Sequence, residues 1–117
     1  MNYKGSNIEQ TKDSYIRAGG LRLIRTLVER DRYDWGEKVQ GMVEAGFYEL
    51  EDLEECIASG VVTKTSADKL KDSVGQRKYV IEGRDRSGRQ FYTAGKIKRA
   101  ADGLLYFFIT AHHQRRG

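Results

Sequence analysis

The sequence has no proline, a single cysteine, two histidines and no apolar run long enough to cross a bilayer. Each shortage excludes something. A lone Cys56 can form neither an internal disulfide nor a multi-cysteine zinc motif. A spanning helix needs ~18–20 apolar residues, and the polar opening stretch lacks the apolar core of a secretory leader. No membrane partner is therefore expected, and the expected location is cytoplasmic. Gly19-Gly20 is not followed by the Lys-Ser/Thr of a phosphate loop, and no G-x-G-x-x-G is present, so no nucleotide cofactor is implied. His112 and His113 are neighbours in sequence, and on a strand they point to opposite faces. They cannot readily share a metal, and neither metal nor cofactor is expected.

What remains is a polar but globular composition. Hydrophobic residues make up 38% of the 117 residues, and one Trp, seven Tyr and four Phe argue against disorder. This length fits one domain. The net charge of +4 conceals two halves of opposite sign. Residues 1–58 hold 8 Lys/Arg against 12 Asp/Glu, whereas residues 59–117 hold 13 against 5. Acidity peaks from Glu44 to Glu55 and basicity from Arg77 to Arg99. Such polarity suits a basic surface that meets a polyanion and an acidic surface that faces elsewhere, although two solvated faces of an ordinary protein have the same signature.

With no proline, the 13 glycines must mark the turns. Residues 1–19 read as an N-terminal arm, residues 20–112 as a single α+β domain and residues 113–117 as a tail. Leu21, Ile24, Leu27 and Val28 recur at helical spacing over about 20–31. Asp34-Trp35-Gly36-Glu37 has the form of a capping box, opening a helix with Trp35, Val39, Met42 and Val43 on one face and Gly46 as its left-handed terminator. A third helix carries Leu50, Leu53, Cys56 and Ile57 inward, ends at Gly60, and turns Glu49, Glu51, Asp52, Glu54 and Glu55 to solvent. Cys56 on that apolar stripe reads as a buried packing thiol.

After Gly60 the period becomes two. Val61 to Thr65 is a short strand. Lys78 to Asp85 and Gln90 to Gly95 form a hairpin about Arg86-Ser87-Gly88, and Ala101-Asp102-Gly103 is the next turn. Leu104 to Ala111, apolar at both parities, reads as a central strand covered on most of both faces. The expected architecture is about three N-terminal helices packed on one face of a largely antiparallel sheet of about four strands, with Phe107 in the core.

Glu44-Ala45-Gly46-Phe47-Tyr48-Glu49-Leu50-Glu51-Asp52-Leu53 with Gly60-Val61-Val62, the pair Lys78 to Gly83 and Gly88 to Tyr92, and the strand Leu105 to His112 together resemble an uncharacterised family of small bacterial and cyanobacterial domains. The likeness spans roughly residues 35–112. That family is similar in layout to RelE- and MqsR-type toxins, small α+β proteins that cleave messenger RNA. A His and an Arg that many of its members carry on the second helix are missing from Trp35 to Ala45 here. One extra residue also stands between Gly46 and Asp52.

The resemblance implies metal-independent RNA cleavage by Lys, Arg and Tyr side chains, which must activate a 2′-hydroxyl and neutralise the phosphorane. Tyr79, Lys96, Tyr106 and His112 are the catalytic candidates. Arg77, Arg84, Arg86, Arg89, Lys98 and Arg99 are the candidate nucleic-acid contacts, since Arg pairs bidentately with phosphate. Structural roles compete for each: charge keeps hairpin tips soluble, and strand tyrosines pack across strands. Two functions follow. One is a toxin-like, RNA-directed domain engaging RNA or the ribosome, an endoribonuclease of a toxin–antitoxin pair, with an antitoxin-like protein partner. The other is a non-catalytic protein-interaction module, including a homodimer through an edge strand.

Overall fold

A computed structural model describes residues 2–4 and 20–114. In chain order the elements are β1 (Asn2–Lys4), α1 (Gly20–Glu29), β2 (Tyr33–Trp35), α2 (Glu37–Glu44), α3 (Leu50–Ser59), β3 (Val61–Ala67), a 3-10 turn (Val74–Gln76), β4 (Arg77–Arg84), β5 (Gln90–Ala100) and β6 (Gly103–His113). The strands form one sheet in the order β1-β2-β6-β5-β4-β3. Neighbours run antiparallel except β2 and β6, which are parallel.

The α+β class agrees with the sequence reading; the strand plan does not. The sheet is mixed, and β1 and β2 stand before and between the helices rather than after them. β2 has only three residues, too few for alternation to show, and its partners Tyr106 to Phe108 lie some seventy positions away. Of the expected arm, Asn2–Lys4 pairs with β2 and residues 5–19 lie outside the described residues. β6 runs to His113, the residue assigned to the tail.

The capping box also falls elsewhere. Asp34 belongs to β2 and accepts the Trp35 amide, while Gly36 is the N-cap of α2. The reciprocal arrangement occurs at α3 instead, where Asp52 accepts the Glu49 amide at 2.9 Å. Gly46 does adopt the left-handed conformation, with φ +83°.

Helices α1 and α3 cover one face of the sheet. Leu23, Ile24, Leu27 and Val28 of α1 and Leu53, Cys56 and Ile57 of α3 pack on Tyr33, Ile81, Phe91, Ile97, Tyr106 and Phe108. The end of α3 approaches β4 backbone to backbone. A Cβ on Gly60 would lie 2.5 Å from the Cys56 carbonyl, and one on Gly83 would lie 2.4 Å from it. Arg25 donates to the Ile57 carbonyl at 3.1 Å and to the Gly60 carbonyl at 2.7 Å, capping that helix end.

The parity of β6 corrects one expectation. Leu104, Tyr106 and Phe108 join the core, so Phe107 faces away from α1 and α3. It is half-buried there, with the Lys98 ammonium 4.9 Å above its ring.

Candidate functional site: the open face of the sheet

Alternation along each strand decides what the uncovered face carries. Register places Glu82 opposite Tyr92 and Tyr92 opposite His112. Arg84 and Gln90 pair two positions further on and share that face. Towards the middle follow Val80, Ala94, Thr110 and, from β3, Lys64; at the far end stand Lys78, Lys96, Lys98 and Phe107. Two bulges preserve this pattern: β3 gains Thr63 and β6 gains Ile109 relative to their neighbours.

At the hairpin end the rings of Tyr92 and His112 stack, 5.3 Å between centroids and 29° apart in plane. His112 is exposed and Tyr92 half-buried. Burial and the adjacent Glu82 carboxylate push the Tyr92 phenol up. A shallow recess of about 220 Å³ beside them is lined by Arg84, Gln90, Tyr92, Glu82, Ser59 and Val61, among others. Arg84 is anchored by its backbone, whose amide donates to the Ser59 hydroxyl at 3.0 Å, and its guanidinium donates to the Gly88 carbonyl at 3.1 Å.

The turn that carries this end is rigid. Asp85 Oδ1 accepts the Ser87 amide, the Ser87 hydroxyl and the Arg89 amide. Asp85 Oδ2 meets His113 Nε2 at 2.8 Å. Burial opposes the Asp85 charge, yet the Ser87 hydroxyl, the His113 ring and the two amides hold its carboxyl well below the usual range. Gly88, at φ +91°, supplies the left-handed turn position. His113 thus faces the core side, edge-on to Phe91, while His112 faces out. Ser87 donates to Asp85 rather than to a histidine, so this trio is a turn and not a nucleophile with its base.

At the far end a strap crosses the open face. Lys96 is buried, with Asp72 Oδ1 2.6 Å and Asp68 Oδ2 3.5 Å from its ammonium. Lys98 lies 3.5 Å from Asp72 Oδ2. The Ser73 hydroxyl beside Asp68, then the Leu70 amide, the adjoining Asp72 carboxyl and the Lys96 charge, outweigh burial and bring that carboxyl down to about 2.

The catalytic candidates are not assembled into one site. Tyr79 and Tyr106 lie on the helix side, where burial raises both phenols; Tyr106 is fully enclosed. Lys96 and His112 are on the open side, separated along it by Ala94. The nucleic-acid candidates divide as well. Arg84 and Lys98 share the open face. Arg89 is exposed in the hairpin turn. Arg77 and Arg99 have the opposite parity and sit at the far end, Arg77 about 23 Å from Arg84 along β4.

Arg86 corrects the charge reading most directly. Its guanidinium meets Asp52 at 3.1 Å and Glu49 at 3.0 Å, and its amide donates to Asp52. Burial works against the Asp52 charge, but the Glu49 and Arg86 contacts lower its carboxyl nonetheless. Asp52 is therefore buried rather than solvent-facing. Arg86 and the acidic helix also share a groove of about 400 Å³ with Glu51, Glu54 and Glu55, rather than lying on opposite sides. Lys64 and Lys78 are open-face cations that the sequence reading did not single out. The period-two series Lys78, Val80, Glu82, Arg84 contained the signal for one of them.

Cys56 matches its expected role. It is fully buried, its Sγ 3.4 Å from the Phe91 carbonyl, and burial pushes its thiol up to about 11. Among the described residues, no helix is long and apolar enough to cross a membrane. A scan against protein-family models, a search of curated proteins and a search of solved structures each returned no match for this chain.

Proposed function

We propose that this chain is an RNA-directed domain that binds single strands across the open face of its sheet. The observation that carries the reading is the stack of half-buried Tyr92 and exposed His112, on one surface with Arg84 and Lys64 and, further along, Lys78. Unpaired bases stack on aromatic rings, and cations beside them neutralise the backbone; sheet surfaces of this composition are a recurring means of holding single strands. The excess of Lys and Arg after residue 59 supports the same reading.

The toxin-like form of this function, a metal-independent messenger-RNA endoribonuclease, draws on His112 as its acid–base group, since Lys96 is held by two carboxylates and the tyrosine candidates Tyr79 and Tyr106 are on the helix side. Binding of a labelled oligouridylate, followed by anisotropy across a salt series, tests the reading. Tyr92→Ala should weaken binding by ~1–3 kcal/mol, the usual worth of one stacked base. Lys64→Ser with Arg84→Ser should flatten the log–log salt slope by about 0.7 for each lost phosphate contact. Absence of binding at low salt would overturn the proposal. A gel of the same RNA separates binding from cleavage: strand scission by the wild type, lost in His112→Ala, is the result the endoribonuclease form requires.

One observation favours a second reading, a protein-interaction module. β3 is an outer strand of seven residues, exposed at six of them, with Val61 59% exposed. Among the described residues no strand pairs with its outer backbone, which could accept another strand, from a second copy or from an antitoxin-like protein. Light scattering tests the homodimer form: a mass near twice 13.4 kDa that falls to the monomer in Thr65→Pro would support it.

A further inference from the structure

The strap between β3 and β4 is held in a conformation that the backbone does not favour. Lys71 and Gln76 adopt φ +57° and +53°, in the left-handed region that costs side-chain-bearing residues energy. Its tip offers no compensating burial, since Leu70 is 76% exposed. Val74 packs against the core, and ion pairs tie the strap to β5. Asp68 and Asp72 together balance the two positive charges of Lys96 and Lys98.

The two carboxylates are not equivalent. The Asp68 side chain is 2% exposed and is tied into the strap, accepting the Leu70 amide at 3.1 Å. The Asp72 side chain is 43% exposed and bridges both ammonium groups, at 2.6 and 3.5 Å. A carboxylate spanning two lysines has the charge and the acceptor geometry of a phosphodiester. It is also the more exposed of the two carboxylates.

We infer that Lys96 and Lys98 form a second RNA-phosphate site, which the Asp72 carboxylate occupies as an internal surrogate and yields when a phosphodiester takes its place. The inference rests on the RNA-binding reading and extends it along the face, from the Tyr92–His112 end to the strap. An exchange of anion for anion preserves the local charge balance, so the cost of exposing Lys96 unpaired is never incurred. Asp68 remains as its permanent partner. The strap thereby weakens RNA binding at this end.

The test is Asp72→Asn, which keeps the shape of the side chain and removes its charge. Glu51→Gln serves as the control, with the same change in net charge on an exposed residue of α3. Oligouridylate should bind Asp72→Asn roughly fivefold or more tighter than wild type at low salt, with a slope steeper by about 0.7–1.4 as one or two contacts are gained. Glu51→Gln should stay near wild type, and Asp72→Asn with Lys98→Gln should fall back towards it. If wild type binds RNA and Asp72→Asn matches the Glu51→Gln control, the surrogate idea is wrong while the RNA reading stands. Tripolyphosphate followed by amide NMR gives an answer independent of RNA. Shifts at Lys96, Lys98 and Phe107 should saturate at lower concentration in Asp72→Asn than in wild type. Equal titrations, or none at these residues, overturn the site even if RNA binds elsewhere.

Discussion

The two faces of the sheet are built from the same strands and differ most in charge, although Val80, Leu105 and Phe107 make part of the open one apolar. Beneath α1 and α3 lie Tyr33, Ile81, Phe91, Ile97, Tyr106 and Phe108, all but dry. One residue away along each strand stand Lys64, Lys78, Arg84, Tyr92, Lys96, Lys98 and His112 on the open side. The difference teaches that a tyrosine or a lysine in these strands has no fixed role until its parity is known. Tyr106 and Tyr92 are the same residue type in neighbouring strands; one is a sealed core ring and the other half of a surface stack.

The sharpest way to break this contrast is to truncate one ring on each side. Phe108→Ala removes a fully buried ring edge-on to Tyr33 and Tyr106, and should cost ~3–5 kcal/mol in urea unfolding. Phe107→Ala, half-buried under Lys98, should cost about half as much or less, because a partly exposed ring has less area to lose. Equal losses would mean that the open face is as closed as the core.

A smaller effect is expected at the hairpin turn that joins the faces. Asp85→Ala leaves two amides, a hydroxyl and the His113 ring without their acceptor, and should destabilise by ~1–3 kcal/mol. The pH dependence has a definite sign. Asp52, Asp68, Asp85 and Asp102 all titrate lower folded than unfolded. Between their folded and unfolded values the unfolded chain binds more protons, so their contribution is complete above about pH 4 and is lost as the pH falls through the folded values, about 2 for Asp68. Stability that holds flat from neutral pH down to about 2 would contradict these contacts.

At the alkaline side the sign reverses. Burial raises the Tyr48 phenol to about 12 and the Cys56 thiol to about 11. The unfolded chain loses these protons first, so stability should fall as the pH climbs past about 9–10 and on through the folded values. The smallest change is chemical rather than energetic. Cys56 should resist alkylation near neutral pH and react on unfolding; rapid labelling of the folded protein would place the thiol outside the core.

Much of this was legible in the chain itself. The stripes on α1 and α3, the Gly46 and Gly88 turns, the β4–β5 hairpin and the buried thiol all follow from local periodicity and turn chemistry. β2 was not legible, because three residues cannot display a period. Asp34 and Glu37 imitated a capping box that the fold builds instead at Glu49 and Asp52. The candidate site was half legible. His112, Arg84, Lys96 and Lys98 stood among the candidates, but mixed with Tyr79, Tyr106 and Arg86, which the fold turns inward or pairs with acids.

By itself the sequence determined the three helices and the strands after Gly60, the inward residues of the helices and the charge difference between its halves, because these depend on near neighbours along the chain. The tertiary structure decided which strands adjoin, which parity of each is covered, and which charges are cancelled. Those outcomes depend on partners far apart in sequence: Arg32 with Asp102, Arg86 with Asp52, Lys96 with Asp72. A lysine's charge is written in the chain, but whether that charge is free to meet RNA is settled only by what the fold sets against it.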